Sequence, residues 1–305
     1  MAVIGCGRAG ASIAFHLVAS RLCDTVILND LNHARAVGEQ YDLVDAASFS
    51  DSPVQVRIGS YAECARADII VIAAGAAARP EQTEEESFHQ TQATCRLIVD
   101  SVLDYGFQGN FILLCSHVDT ILQDIHMRSG LSYRKFLGLG NALNTNRLRQ
   151  YISEQLHIDF KIIEDLYLMG NYSNPCGTFS AATAGGAPLQ KILEQGGLWK
   201  TQEELINYGA DRGKTITTLK NPTYYGVSGV VAAMIRSVLQ DEKRIFCASV
   251  FLNGEYGING IYASVPVKID KNGRSGIAVL PLNQEEQQRF VYSVNAIQRI
   301  NEYFL

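Results

Sequence analysis

The chain opens on a pattern that leaves little freedom of fold. Ala2, Val3 and Ile4 are an apolar run, Gly5-Cys6-Gly7-Arg8-Ala9-Gly10 follows directly, and a helix-compatible stretch leads to a second apolar run, Thr25 to Asn29, closed by Asp30. Strand, glycine turn, helix and strand make a βαβ unit. In such a turn Gly5 permits the tight bend, Gly7 lets the backbone approach a pyrophosphate, and Gly10 allows close packing of helix on strand. The helix start then offers unpaired N–H groups and a positive dipole end to an anion. Asp30, twenty residues beyond Gly10, stands where a carboxylate accepts hydrogen bonds from an adenosine ribose and repels a 2′-phosphate. The expected cofactor is therefore NAD, with NADP disfavoured.

The alternation continues. A helix is expected over 34–49, a strand over 54–58, and a continuous apolar run from Asp68 to the Ala74-Gly75 turn reads as a parallel strand buried on both faces. A polar loop spans Ala76 to Glu86, carrying three consecutive glutamates, before a helix from about Ser87 to Tyr105. Then come a strand over 110–115, a helix over 119–128, a short strand over 136–140 and a helix from Asn141 to about Leu156. Loops at the C-terminal ends of such strands hold ligands, which makes Ala74 and Gly75 candidate cofactor contacts.

Beyond this the pattern changes, placing a domain boundary near Gly138: residues 1–138 as the dinucleotide-binding half, 139–305 as a second domain. The second half reads as a strand over 162–169 running into the turn Gly170-Asn171-Tyr172, helices over 201–220 and 225–240, and strands over 245–252, 261–269 and 273–282. The final helix is opened by an Asn283/Glu286 capping box. The fold class is α/β.

Composition narrows the function. Net charge is −5 with no run of Lys or Arg, so nucleic acid and anionic membranes are not expected partners, and no stretch approaches the roughly 20 apolar residues of a membrane span. Seven cysteines without a CxxC pair and six isolated histidines suggest neither a disulfide framework nor a metal site. A cytoplasmic protein is expected.

Over essentially its full length the sequence resembles the L-lactate/malate dehydrogenase family, including the bacterial 2-hydroxyisocaproate dehydrogenases. The resemblance rests on the glycine turn, Leu28-Asn29-Asp30, Gly38 to Leu43, Asp68 to Gly75, Gly138 to Arg147 (GLGNALNTNR), Thr223 to Gly226, Ser249 to Gly257 (SVFLNGEYG) and Leu280-Pro281-Leu282. It implies a doubly wound parallel Rossmann sheet followed by a mixed α/β substrate domain, assembled as a dimer or tetramer. The implied chemistry is hydride transfer between NAD and a small 2-hydroxy acid. That needs a histidine held by an aspartate, an arginine gripping the substrate carboxylate, and a mobile-loop arginine polarising the carbonyl.

Residue by residue, the match keeps one of these groups. Arg147 corresponds to the carboxylate-binding arginine, its plainer alternative being a solvated helix-face arginine beside Arg149. Tyr172 stands for the histidine, Asn144 for the aspartate and Glu84 for the loop arginine. Ala78 takes the position that selects lactate or malate, and Ser116-His117 replaces an Asn-Pro pair near the nicotinamide, which by the resemblance makes Ser116 a candidate cofactor contact. A phenol is a weak substitute for an imidazole near neutral pH. Three readings stay open: a non-catalytic NAD(H)-binding member with a possible small-molecule ligand; an oxidoreductase on an atypical substrate using Tyr172 or His117 as proton donor; and a partner-binding descendant without cofactor.

Overall fold

The computed structural model describes residues 1–49, 53–75, 82–220 and 222–305. Its elements, in chain order, are β1 (Ala2–Ile4), α1 (Arg8–Ala19), β2 (Thr25–Asn29), α2 (His33–Ser48), β3 (Gln55–Ile58), α3 (Tyr61–Cys64), β4 (Ile69–Ile72), α4 (Glu84–Asp104), β5 (Asn110–Leu113), α5 (Val118–Ser129) and β6 (Phe136–Gly138). There follow α6 (Ala142–Leu156), β7 (Ile163–Glu164), β8 (Leu168–Met169), β9 (Cys176–Gly177), β10 (Thr183–Ala184), β11 (Ala187–Pro188), α7 (Leu189–Gln195), α8 (Gln202–Lys220), α9 (Tyr225–Leu239), β12 (Arg244–Asn253), β13 (Asn259–Asp270), β14 (Gly273–Ile277) and α10 (Gln284–Phe304). Two compact units result. Unit 1 holds Met1–Leu139, Tyr224–Arg244 and Ile269–Ser275; unit 2 holds Gly140–Thr223, Ile245–Lys268 and Gly276–Leu305.

In unit 1 the six strands run in the order β6-β5-β4-β1-β2-β3, and every pair is parallel. Strand order reverses at β1, which is flanked by β4 and β2; in a doubly wound sheet such a switch point opens a crevice at the strands' C-terminal ends. All four residues of β4 are fully buried, as their unbroken apolar run requires. Helix α1 turns Ile13, Ala14, Leu17 and Val18 inward, at helical spacing. Helix α9, though distant in sequence, packs along α1 and belongs to this unit.

Helix α4 begins earlier than its sequence suggests. Thr83 accepts from the Glu86 N–H while the Glu86 side chain accepts from the Thr83 N–H, a full capping box that makes Glu84, Glu85 and Glu86 the first turn. Three acids at a helix N-terminus face the positive dipole end, so the glutamates have a local reason to be there.

In unit 2, α6 packs on α8, and Leu148, Ile152, Ile163, Leu166, Leu168 and Leu205 share one buried cluster. The single strand expected over 162–169 is instead two short pieces. Asp165 between them adopts φ 55°, and Thr178 bridges the break, its hydroxyl donating to the Asp165 carbonyl at 2.6 Å and accepting from Tyr167 N–H at 2.8 Å. Strand β14 also stops short, at Ile277: the Leu280 N–H donates to the Tyr256 hydroxyl at 3.0 Å, and Pro281 has no N–H to give. Asn283 and Glu286 do form the expected capping box of α10. Among the described residues no helix is long and apolar enough to cross a membrane.

Candidate functional site

The glycine turn of unit 1 divides its work residue by residue. Gly5 sits at φ +98°, and a Cβ there would come within 2.6 Å of Ala74 N; at Gly10 a Cβ would lie 1.8 Å from the Gly5 carbonyl oxygen. Both positions exclude any side chain. At Gly7 an added Cβ meets nothing within 4 Å, so the space beside the turn stays open. Gly7 is also the N-cap of α1, which has neither a side-chain cap nor an acid in its first turn. Its leading N–H groups are thus available to a pyrophosphate, in contrast to the capped, acidic start of α4.

A cavity of about 250 Å³ opens here, lined by Gly5, Gly7, Asp30, Tyr61, Ala74 and Gly75 among others. Asp30 ties the turn to β2: its Oδ2 accepts from Cys6 N–H at 2.6 Å and its Oδ1 from Asn32 N–H at 2.7 Å. Each carboxylate oxygen has a second lone pair, so ribose hydroxyls can still donate to it. Burial, and then the charge of Asp30, push the Cys6 thiol up to about 12. It therefore remains neutral at physiological pH and adds no negative charge beside a pyrophosphate. Open turn, uncapped helix and acid together fit a dinucleotide.

At the ends of β4 and β5 a second cavity, of about 310 Å³, is lined by Thr83, Glu84, Ser87, Thr91, Ser116 and His117. His117 is the αL residue at the start of α5, and its Nε2 lies 3.0 Å from Glu84 Oε1, with its ring edge-on to Phe88 at 5.7 Å. Glu84 and His117, both departures from the family pattern, meet. Ala78, Arg79, Pro80 and Glu81 lie outside the described residues.

Unit 2 carries the arginine. Arg147 is 6% exposed, which removes the reading of a solvated helix-face residue. Its Nη1 donates to Asn144 Oδ1 at 3.0 Å and to the Gly209 carbonyl at 3.2 Å, its Nη2 to Thr223 Oγ1 at 3.2 Å, and the Tyr172 phenol lies close enough to act on its charge. The turn that presents Tyr172 is fixed by the pairing of Gly170 with Ser264, by Asn141 Nδ2 donating to the Gly170 carbonyl, and by Asn171 N–H donating to Ser293 Oγ at 2.7 Å. Burial draws the Arg147 pKa down, and the charge of Arg212 acts the same way against the opposing effect of Tyr172. No carboxylate pairs with Arg147 among the described residues, and Asn144 Nδ2 is buried without a hydrogen-bond partner. A desolvated cation ringed by neutral groups is a place for an anion.

Two family models account for nearly the whole chain: the lactate/malate dehydrogenase NAD binding domain matches residues 1–138, and the lactate/malate dehydrogenase alpha/beta C-terminal domain matches residues 142–303. The chain belongs to the lactate/malate dehydrogenase family. It is 34% identical over 299 residues to L-lactate dehydrogenase 3 of Bacillus thuringiensis subsp. konkukian, covering 96% of this chain and 94% of that one. It is 31% identical over 303 residues to L-lactate dehydrogenase of Bacillus velezensis, with 98% and 95% covered. Among solved structures, the ligands-bound minor L-lactate dehydrogenase from Enterococcus mundtii superposes with a TM-score of 0.95 at 28% identity, over 100% of this chain and 98% of that chain. The malate dehydrogenase from Aeropyrum pernix gives 0.90 at 25%, over 99% and 97%. The family's NAD-binding domain is present, and the cofactor is NAD.

Of the residues read from sequence, Gly5, Gly7, Asp30, Ala74 and Gly75 line one cavity, with Gly10 beneath the turn; Ser116 and His117 line the second; Asn144, Arg147 and Tyr172 gather in unit 2. Gly209, Arg212 and Gly213 belong to no motif in the sequence, and Thr223 stands in one without a role of its own. Two glycines spaced four apart within a helix, where glycine is disfavoured, were the available signal.

Proposed function

We propose that this member binds NAD(H) in unit 1 and a small carboxylate anion at Arg147, and does not run the family's lactate or malate reaction. One observation carries the reading: the groups bonded to Arg147 are Asn144, Thr223 and the Gly209 carbonyl, with Tyr172 beside them, and no imidazole or carboxylate is among its partners in the described residues. Without a His–Asp pair there is no acid–base group of suitable strength at that guanidinium, and a positioned general base is worth about 10² to 10⁴ in rate. Binding of the anion survives; proton transfer does not. The same reading makes the protein a cytoplasmic homo-oligomer, a dimer or tetramer, by analogy with the fold.

The test is calorimetric titration with NAD, NADH and NADP, followed by turnover of pyruvate, lactate, oxaloacetate and malate. NADH should bind, NADP should bind much less well, and turnover should be negligible. A kcat in the ordinary range of about 1 to 10³ s⁻¹ on any of the four acids would overturn the reading.

The contact of His117 with Glu84 favours a second reading, an oxidoreductase on an atypical substrate, since a carboxylate that orients an imidazole is the usual support of an acid–base histidine. Turnover of some other 2-oxo acid, abolished by His117→Ala or Tyr172→Phe, would establish it.

A further inference from the structure

Helix α8 meets Arg147 with an unusual face. The Gly209 carbonyl accepts from Nη1, a Cβ at Gly209 would lie 2.9 Å from the Asn144 carbonyl oxygen, and a Cβ at Gly213 would lie 2.7 Å from Arg147 Nη1. Arg212 follows Gly209 by three residues, so it stands on the same flank of the helix, and its charge is felt at Arg147. Neither arginine has a carboxylate partner among the described residues, since the neighbouring Asp211 pairs with Lys214 at 3.2 Å. Two guanidinium groups that feel each other's charge repel, and an anion that satisfies both relieves that repulsion. The other groups around Arg147, Asn144, Thr223 and Tyr172, are neutral.

We propose that Arg212 is a specificity-determining residue that receives the second carboxylate of a small dicarboxylate whose first carboxylate sits on Arg147. This rests on the anion-binding reading of Arg147 and adds to it a substrate class and a residue. The second charge would be recognised from α8 in the substrate domain, independently of Ala78 and of the Glu84 position. Arginine suits the task because its planar fork matches a carboxylate with two parallel hydrogen bonds.

The full-length protein is titrated, with and without saturating NADH, with malonate, succinate and glutarate, each against the monocarboxylate of equal length, and with inorganic phosphate. At least one dicarboxylate should bind about tenfold or more tightly than its monocarboxylate, the worth of one added charged hydrogen bond. Arg212→Gln should erase that preference, lowering dicarboxylate affinity about tenfold and monocarboxylate affinity far less, Arg212→Lys should retain part of it, and Arg147→Gln should abolish binding of both classes. Circular dichroism and thermal midpoints verify that the variants fold. Equal affinity for the two classes, a preference that survives Arg212→Gln, or phosphate bound in preference to every dicarboxylate overturns the proposal. If Arg147→Gln leaves all binding unchanged, the anion reading of Arg147 itself has failed, and the proposal falls with it.

Discussion

His117 Nε2 stands 3.0 Å from Glu84 Oε1, joining the first residue of α4 to the N-cap of α5. Glu84 is 80% exposed at its side chain, so the pair is screened and worth less than about 1 kcal/mol to stability. Glu84→Gln should therefore shift the thermal midpoint by only a degree or so. A large loss on calorimetry would mean that Glu84 supports more of α4 than its place in the first turn implies.

The glycine turn permits a sharper contrast. Gly7→Ala adds a methyl into open space at an ordinary negative φ, so folding should be unchanged to within about 0.5 kcal/mol while NADH affinity falls. Gly10→Ala forces a methyl onto the Gly5 carbonyl and should destabilise the protein by several kcal/mol or prevent its accumulation. Denaturant titration with NADH calorimetry on both variants checks this; equal behaviour of the two would refute the assigned roles.

Asp30→Ala should weaken NADH binding about tenfold or more and narrow the preference over NADP, as a charged hydrogen-bond acceptor is lost and the repulsion of a 2′-phosphate disappears. Because Asp30 also receives the Cys6 and Asn32 N–H groups, the variant should lose stability as well. Unchanged selectivity between the two cofactors would be the contrary result.

Stability should decline on the alkaline side. Burial is the leading cause that pushes the thiols of Cys6, Cys64 and Cys176 up to about 12 from an ordinary 9.0. A group whose folded pKa is raised holds its proton more tightly in the native state. Its contribution is fully present below the unfolded value and is lost as pH rises from 9.0 toward about 12. Thermal midpoints from about pH 8 to about pH 11 should fall accordingly, and less steeply when the three cysteines are replaced by alanine.

If the framework around Arg147 is otherwise that of the family, the missing chemistry should return only when its parts return together. Tyr172→His alone lacks a carboxylate to hold the imidazolium, and Asn144→Asp alone places an acid beside Arg147 with no imidazole to orient. The triple variant with Glu84→Arg should show pyruvate-dependent NADH oxidation that neither single variant shows, since groups acting as a unit are strongly non-additive.

What could be read from the sequence was local. The roles of Gly5, Gly7, Gly10 and Asp30 follow from spacing within one βαβ unit, and the capping box at Asn283 from residues three apart. The start of α4 is hidden because a Thr83/Glu86 signature sits inside a run that composition marks as polar loop. The break at Asp165 was invisible, as an apolar run does not announce a positive φ. The partners of Arg147 are 62 and 76 residues away in Gly209 and Thr223, and a single sequence carries no distances of that kind. Nor does periodicity show that α9 packs with α1 in unit 1.

The seat of Arg147 is made partly of missing atoms. Its guanidinium occupies space that Gly213 leaves open, and a single methyl there would stand 2.7 Å from Nη1, so the tip of Arg147 would have to move. Gly213→Ala would keep the arginine, its helix and the surrounding motif in place and still displace the guanidinium tip that an anion would meet. The position of that tip is set from the facing helix as much as from the residue that carries it.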